Sequence, residues 1–129
     1  MKLASIDIGL KRIGVAICLD SSIVLPLDAI LRKNRNQAAR DVNLFLKEWE
    51  IDKLIVGLPK DAASSEEMQR RIEHFVSLLE LDIPVAYQDE QSSSIEAREL
   101  TKGVFRHKKD GKIDSIAAKI ILERYLATH

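Results

Sequence analysis

Two apolar runs open this chain with only four residues between them, and that spacing constrains the fold more than any other feature. The first run covers 2–8 and ends in Ile6-Asp7-Ile8; the second covers 13–19. Gly9 to Arg12 is a hairpin-length connection, too short for the dozen or more residues of a parallel crossover, so the two strands are antiparallel. In the second run Ile13, Val15, Ile17 and Leu19 alternate with Gly14, Ala16 and Cys18. Both faces are apolar and one is small, the pattern of a strand covered on two sides. Asp20-Ser21-Ser22 makes another short turn, and 23–30 supplies a third strand.

The hydrophobic period then changes. Val42, Phe45, Leu46 and Trp49 fall at i, i+3, i+4 and i+7, which predicts an amphipathic helix over 36–50. Leu54-Ile55-Val56, closed by Gly57-Leu58-Pro59, reads as a buried strand. Ser64 with Glu67 forms a capping box ahead of Met68, Ile72, Phe75, Val76 and Leu79 on one helical face. A fifth strand follows at 83–87. Ser93 with Glu96 is a second capping box, opening a short helix that Gly103 ends. Residues 104–111 read as a polar loop and 113–126 as a last helix. The order β-β-β-α-β-α-β-α-α predicts an α/β chain: a five-stranded mixed sheet, three antiparallel meander strands then two parallel ones, flanked by helices. With the first strand central, the crossovers set strands four and five beside it and parallel to it.

A chain of 129 residues fills one core rather than two, so 1–129 is expected to be a single domain. No run reaches the roughly 18 apolar residues of a membrane span, and Asp7 arrives too early for a secretory signal. One cysteine, Cys18, excludes an internal disulfide and a Cys-based zinc cluster. These features point to a reducing, cytoplasmic setting away from membranes. Twenty basic residues cancel twenty acidic ones, whereas a protein that merely coats nucleic acid is usually basic. Neutrality is compatible with an enzyme that gathers acids in its site and bases around the rim. Bases do cluster, at Lys11-Arg12, at Arg32-Lys33 with Arg35, and along Lys102, Arg106, His107, Lys108, Lys109 and Lys112.

Three acids stand where ligands bind in such a fold. Asp7 lies between isoleucines at the end of the first strand, where a carboxylate is costly to bury without a partner or a metal. Glu90 stands where the fifth apolar run stops, and Asp114 in the first turn of the last helix. Singly, each has an ordinary explanation: a turn cap, a solvated strand end, an acid favoured by the helix macrodipole. Together they meet, because parallel strands end on one edge of the sheet and ligands bind outside that edge. Three carboxylates repel one another unless cations bind. Mg²⁺ (or Mn²⁺) suits them, since it keeps waters and substrate phosphates as its remaining ligands. Two such ions about 4 Å apart clamp the attacking water and the leaving oxygen of a phosphodiester. The expected activity is therefore hydrolysis by a metal-dependent nuclease, with Asp7, Glu90 and Asp114 catalytic and metal-binding. Lys11, Arg12, Lys60, Arg106, Lys108, Lys109 and Lys112 surround that edge as candidate contacts to a nucleic-acid backbone. The turn Gly57-Leu58-Pro59-Lys60 precedes a helix N-terminus able to meet a phosphate, but it lacks the spacing of a Walker loop.

Five motifs occur in order: Ile6-Asp7-Ile8-Gly9, Lys11-Arg12-Ile13-Gly14-Val15-Ala16, Ile55-Val56-Gly57-Leu58-Pro59, Asp89-Glu90, and Asp114-Ser115-Ile116-Ala117-Ala118. In this order and spacing the chain resembles the YqgF/RuvX family nearly end to end. The resemblance implies an RNase H-like fold and a nuclease that matures the 5′ end of pre-16S rRNA in the bacterial cytoplasm, with an rRNA precursor and ribosomal components as partners. Family members also go by the label of Holliday-junction resolvase, which would make branched DNA the substrate. It implies the same acidic triad, Asp7, Glu90 and Asp114. The chain departs from the family where Asp-Glu-Arg and a threonine pair are usual: Gln91, Ser92, Ser93 and Ser94 stand there. Glutamine cannot replace the charged fork of arginine. The usual glycine beyond Gly57-Leu58-Pro59 is also replaced, near Ala63-Ser64.

Two rivals remain at this point. An ATP-binding domain of the sugar-kinase and actin class opens similarly, but needs a second such domain that this length does not provide. A nucleic-acid- or protein-binding module without activity is the other, favoured by Gln91 and opposed by the three acids.

Overall fold

A computed structural model describes residues 1–20, 23–58, 65–89 and 112–128, with side chains from Glu66 in the third stretch and from Ser115 in the last. The elements are β1 (Leu3–Ile8), β2 (Arg12–Cys18), β3 (Val24–Leu31), α1 (Arg35–Glu48), β4 (Lys53–Leu58), α2 (Ser65–Ser77), β5 (Val85–Asp89) and α3 (Lys112–Thr128). The short helix expected at 93–103 and the loop at 104–111 lie outside the described residues.

The β1–β2 turn is as tight as its length demands. The Gly9 N–H donates to Arg12 O at 3.0 Å. A Cβ on Gly9 would stand 2.6 Å from that same oxygen, so the close approach itself requires glycine. Antiparallel pairing follows, with Asp7 opposite Gly14 and Leu3 opposite Cys18. β3 joins β2 antiparallel, with a register irregularity between Ile13 and Val15. β4 and β5 add in parallel, giving the order β3-β2-β1-β4-β5. The sheet is the five-stranded mixed one the sequence predicts. Two details differ. Of the two parallel strands only β4 lies beside β1, and β5 pairs with β4 at the sheet's edge, Leu58 opposite Asp89. β5 also runs two residues later than the 83–87 expected, because Ile83 and Pro84 lead into it. There the Pro84 carbonyl accepts from Leu54 N at 3.0 Å before the strand begins.

Alternation along the strands sorts the core into two layers. Ile6, Ile13, Val15, Ile17, Leu54 and Val56 face α1 and α2, meeting Val42, Leu46, Ile72 and Phe75. Leu3, Ala16, Cys18 and Ile55 face α3, meeting Ala118, Ile121, Leu122 and Tyr125. The large residues of β2 thus take one helical layer, and its small ones let α3 approach closely. Burying Phe75 and Ile72 contributes about 1.5–3 kcal/mol each, far more than helix propensity does, so α2 is held by packing.

α1 begins one residue earlier than its apolar period suggests because Asn34 caps it. Asn34 Oδ1 accepts from Gln37 N at 2.8 Å, and Gln37 Oε1 accepts from Asn34 N at 3.4 Å, a capping box. It ends with Glu50 at φ 53°, where Glu50 N donates to Lys47 O and Ile51 N to Leu46 O. This is a Schellman ending with glutamate in the left-handed position that glycine usually takes. No helix among the described residues is long and apolar enough to cross a membrane.

Candidate active site

Asp7 is the last residue but one of β1 and is half-buried. It shares a sheet face with Leu3 and Ser5, the face that α3 covers. Two buried serines fix how α3 lies there. Ser5 Oγ donates to Ala118 O at 2.6 Å, and Val15 N donates to Ser115 Oγ at 3.3 Å. Val15 sits at the irregularity in the β2–β3 pairing, where β3 carries the extra residue, and there its N–H is met by Ser115. Further along, Lys53 Nζ reaches the Tyr125 hydroxyl at the opposite end of the sheet. α3 therefore runs antiparallel to β1, with its N-terminus at the edge where β1 ends.

These pins set the level of Asp114. From Ser5 to Asp7 the strand climbs about 6.6 Å. From Ala118 back to Asp114 the helix spans about 6 Å. The Ser5–Ala118 bond thus brings the backbone of Asp114, third residue of α3, level with Asp7. Gly14, opposite Asp7, presents no side chain between them.

The C-terminal edge of the parallel strands carries Ile8, Leu58 and Asp89. Pairing puts Val56 beside Tyr87 and Gly57 beside Gln88. Gln88 therefore belongs to the face of Asp7 and Ser5, and Asp89 to the opposite one. Glu90 itself lies outside the described residues, as do Lys60, Arg106, Lys108 and Lys109. Among the described residues no group of three His, Cys, Asp or Glu side chains forms a metal cluster. Lys11 is exposed in the β1–β2 turn, Arg12 is half-buried at the start of β2, and Lys112 opens α3.

One constellation was not singled out from sequence. Arg32 donates from Nη1 to the Gly9 carbonyl at 2.8 Å, and its N–H donates to Lys11 O at 2.9 Å, so the tip of the β1–β2 turn is tied to the end of β3. Its guanidinium lies over the Phe75 ring, 5.6 Å from the centroid. Burial, then the like charges of Arg35 and Arg71, lower its pKa from the usual arginine value. The Arg32-Lys33 and Arg35 cluster was visible in the chain. Arg71 was not, because only the fold brings α2 to that cluster.

A mixed five-stranded sheet in the order β3-β2-β1-β4-β5 with helices on both faces is the RNase H-like fold. The family model described as "RuvX: Holliday junction resolvase" matches residues 1–128, and the chain belongs to the RuvX family. A relative from Sulfurovum sp. (strain NBC37-1), named "Putative pre-16S rRNA nuclease", is 78% identical over 127 residues, 98% of this chain and 99% of its own. One of the same name from Campylobacter jejuni (strain RM1221) is 56% identical over 128 residues, 98% of this chain and 99% of its own. Among solved structures, the fowlpox virus Holliday junction resolvase superposes with TM-score 0.60 at 17% identity, covering 100% of both chains. T. thermophilus RuvC in complex with a Holliday junction substrate does so with TM-score 0.58 at 11% identity, covering 99% of this chain and 96% of its own. At those identities the two structures share the fold with this chain, and nothing finer.

Proposed function

We propose that this chain, acting as one domain over 1–129, is a cytoplasmic nuclease that hydrolyses phosphodiester bonds in 5′-end maturation of pre-16S rRNA. The observation that carries the reading is Asp7, a half-buried carboxylate at the C-terminal edge of the central strand, level with the start of α3. Family membership and the naming of the close relatives support the nuclease activity and the rRNA substrate.

Asp7, Glu90 and Asp114 are the carboxylates that would hold divalent metal. A hard, oxygen-only donor set fits Mg²⁺ or Mn²⁺. Two such ions, when bound with substrate, would supply a nucleophilic water and stabilise charge on the leaving oxygen. Asp89 is left out of this set because it lies on the face opposite Asp7. The protein's own work is to position. The two serines hold α3 against the sheet, and the basic residues Lys11, Arg12, Lys60, Arg106, Lys108, Lys109 and Lys112 would steady the backbone of the strand. Ribosomal components fit as partners of an enzyme on that substrate.

The family description favours a second reading, cleavage of a branched DNA junction. The deciding experiment offers purified protein a pre-16S rRNA 5′ segment and a four-way DNA junction side by side, with Mg²⁺, Mn²⁺ or chelator. Metal-dependent cleavage of the RNA is the expected outcome. Cleavage of the junction alone would move the assignment to DNA. Binding without cleavage of either, in all metals, would make the chain a binding module.

A further inference from the structure

On the opposite face of β1 from Asp7, a cavity of about 210 Å³ is lined by Ile8, Gly9, Leu10, Met68 and Ile72 together with Arg32, Arg35 and Arg71. We propose that this arginine pocket is an anion subsite that takes a phosphate group of the nucleic-acid strand whose cleavage was proposed above. The inference rests on that reading and adds a contact to it.

Among the described residues no acidic side chain lines the cavity, while three guanidinium groups do. Fixed like charges in one cavity repel, and an anion is what relieves them. Arg32 is already oriented, by its bond to the Gly9 carbonyl and by the Phe75 ring, with a planar fork of five donors of which that bond uses one. Arg71 pairs with Glu67 at 2.7 Å, but both side chains are more than half exposed, so the pair is weak and easily exchanged for a phosphate. Arg35 is the first residue of α1, whose first turn carries no acid, so the helix's positive end adds to the field. Guanidinium forks match phosphate oxygens bidentately, and phosphate is the anion that a nucleic-acid strand presents.

Position supplies the link to the reaction. Asp7 and Ile8 are consecutive and face opposite sides of the strand. A nucleic-acid strand crossing the sheet edge at the end of β1 can therefore meet the acidic side with one phosphate and the arginine side with another. The phosphate can come from a 5′ terminus or from an internal phosphodiester.

The test measures equilibrium binding of a 3′-labelled single-stranded RNA in chelator, as 5′-phosphate and 5′-hydroxyl forms, over a range of salt. Arg35→Ala/Arg71→Ala changes two exposed groups and leaves the Arg32–Gly9 tie in place. The double variant should bind about ten- to a hundredfold more weakly. Its slope of log affinity against log salt should fall by about 0.7 for one lost phosphate contact. A loss confined to the 5′-phosphate RNA identifies a terminal phosphate; an equal loss for both forms identifies an internal one. If melting shows the double variant unfolded, Arg35→Gln alone reads the same slope. Wild-type affinity and slope in folded variants would overturn the inference while leaving the nuclease reading intact. Wild-type protein that binds neither RNA and cleaves no nucleic acid would overturn both together. Stabilisation of wild type, but not the variant, by inorganic phosphate without RNA binding would also overturn it, since the pocket would then serve another anion.

Discussion

Asp7 illustrates what one residue contributes at the end of a central strand. Its neighbours Ile6 and Ile8 lie in the core on the far side of the sheet, so the strand's pleat turns Asp7, unlike them, toward α3. Replacing it with asparagine keeps the shape and removes the charge that metal requires. Asp7→Asn is expected to abolish cleavage. Its melting temperature in chelator should match or exceed that of wild type, because a partly buried charge is lost. Thermal melts with and without Mg²⁺ check this: an unfolded variant, alongside a wild type whose melting ignores Mg²⁺, would make Asp7 structural. Glu50 shows a residue acting against its backbone. In the left-handed position at the end of α1 a side chain is strained, and its contact there is an exposed pair with Lys2 at 3.3 Å, worth little. Glu50→Gly is expected to raise stability by about 0.5–1 kcal/mol in urea unfolding.

At the level of elements, α3 is the part whose placement matters most. Its two serine bonds are not equivalent. Ser5 donates to the carbonyl of Ala118, which as a helix carbonyl has its own i+4 partner, so Ser5→Ala removes a supplementary bond. Ser115 instead accepts the buried N–H of Val15, and Ser115→Ala strands that donor. An ordinary lost bond costs about 0.5–1.5 kcal/mol, a stranded buried group about 1–3 kcal/mol. Ser115→Ala is therefore expected to destabilise more than Ser5→Ala in chemical unfolding. It should also lower turnover, since Asp114 is the residue just before it. The opposite ranking would mean that Val15 N finds another partner, and that α3 is held by Ala118, Ile121 and Leu122 packing alone.

For the whole molecule, the sheet divides the chemistry between its faces. Asp7 belongs to the α3 side, the arginine pocket to the side of α1 and α2. An overall formal charge of +0 thus conceals a local concentration of positive charge at the arginine pocket. The segment 102–112, leading directly into α3, adds a further basic feature from sequence. Arg106→Ala/Lys108→Ala/Lys109→Ala is expected to weaken nucleic-acid binding about equally across sequences and to flatten its salt dependence. Turnover at saturating substrate should change less than affinity, because the acids are untouched. Affinity and salt slope equal to wild type would make this segment a solvated loop without substrate contact.

Much of this could be read from the chain because the decisive signals are local. A four-residue gap between apolar runs forces a hairpin, alternation along β2 announces two covered faces, and helical periods mark α1 and α2. Asp7 is legible for the same reason: a carboxylate inside an apolar strand is an expense that the sequence itself displays. The boundary of β5 was less so, since Ile83 and Pro84 carry the apolar signal of a strand without its pairing. Local pattern thus specifies the set of elements, the antiparallel sense of the first hairpin, and which residues are candidates for chemistry. Which candidates come together is settled by packing: the level of Asp114's backbone with Asp7 depends on Ser5 and Ser115, and Arg71 meets Arg32 and Arg35 only when α2 packs beside α1. Those proximities join residues far apart in sequence. They are fixed by register and helix packing, which no local pattern encodes.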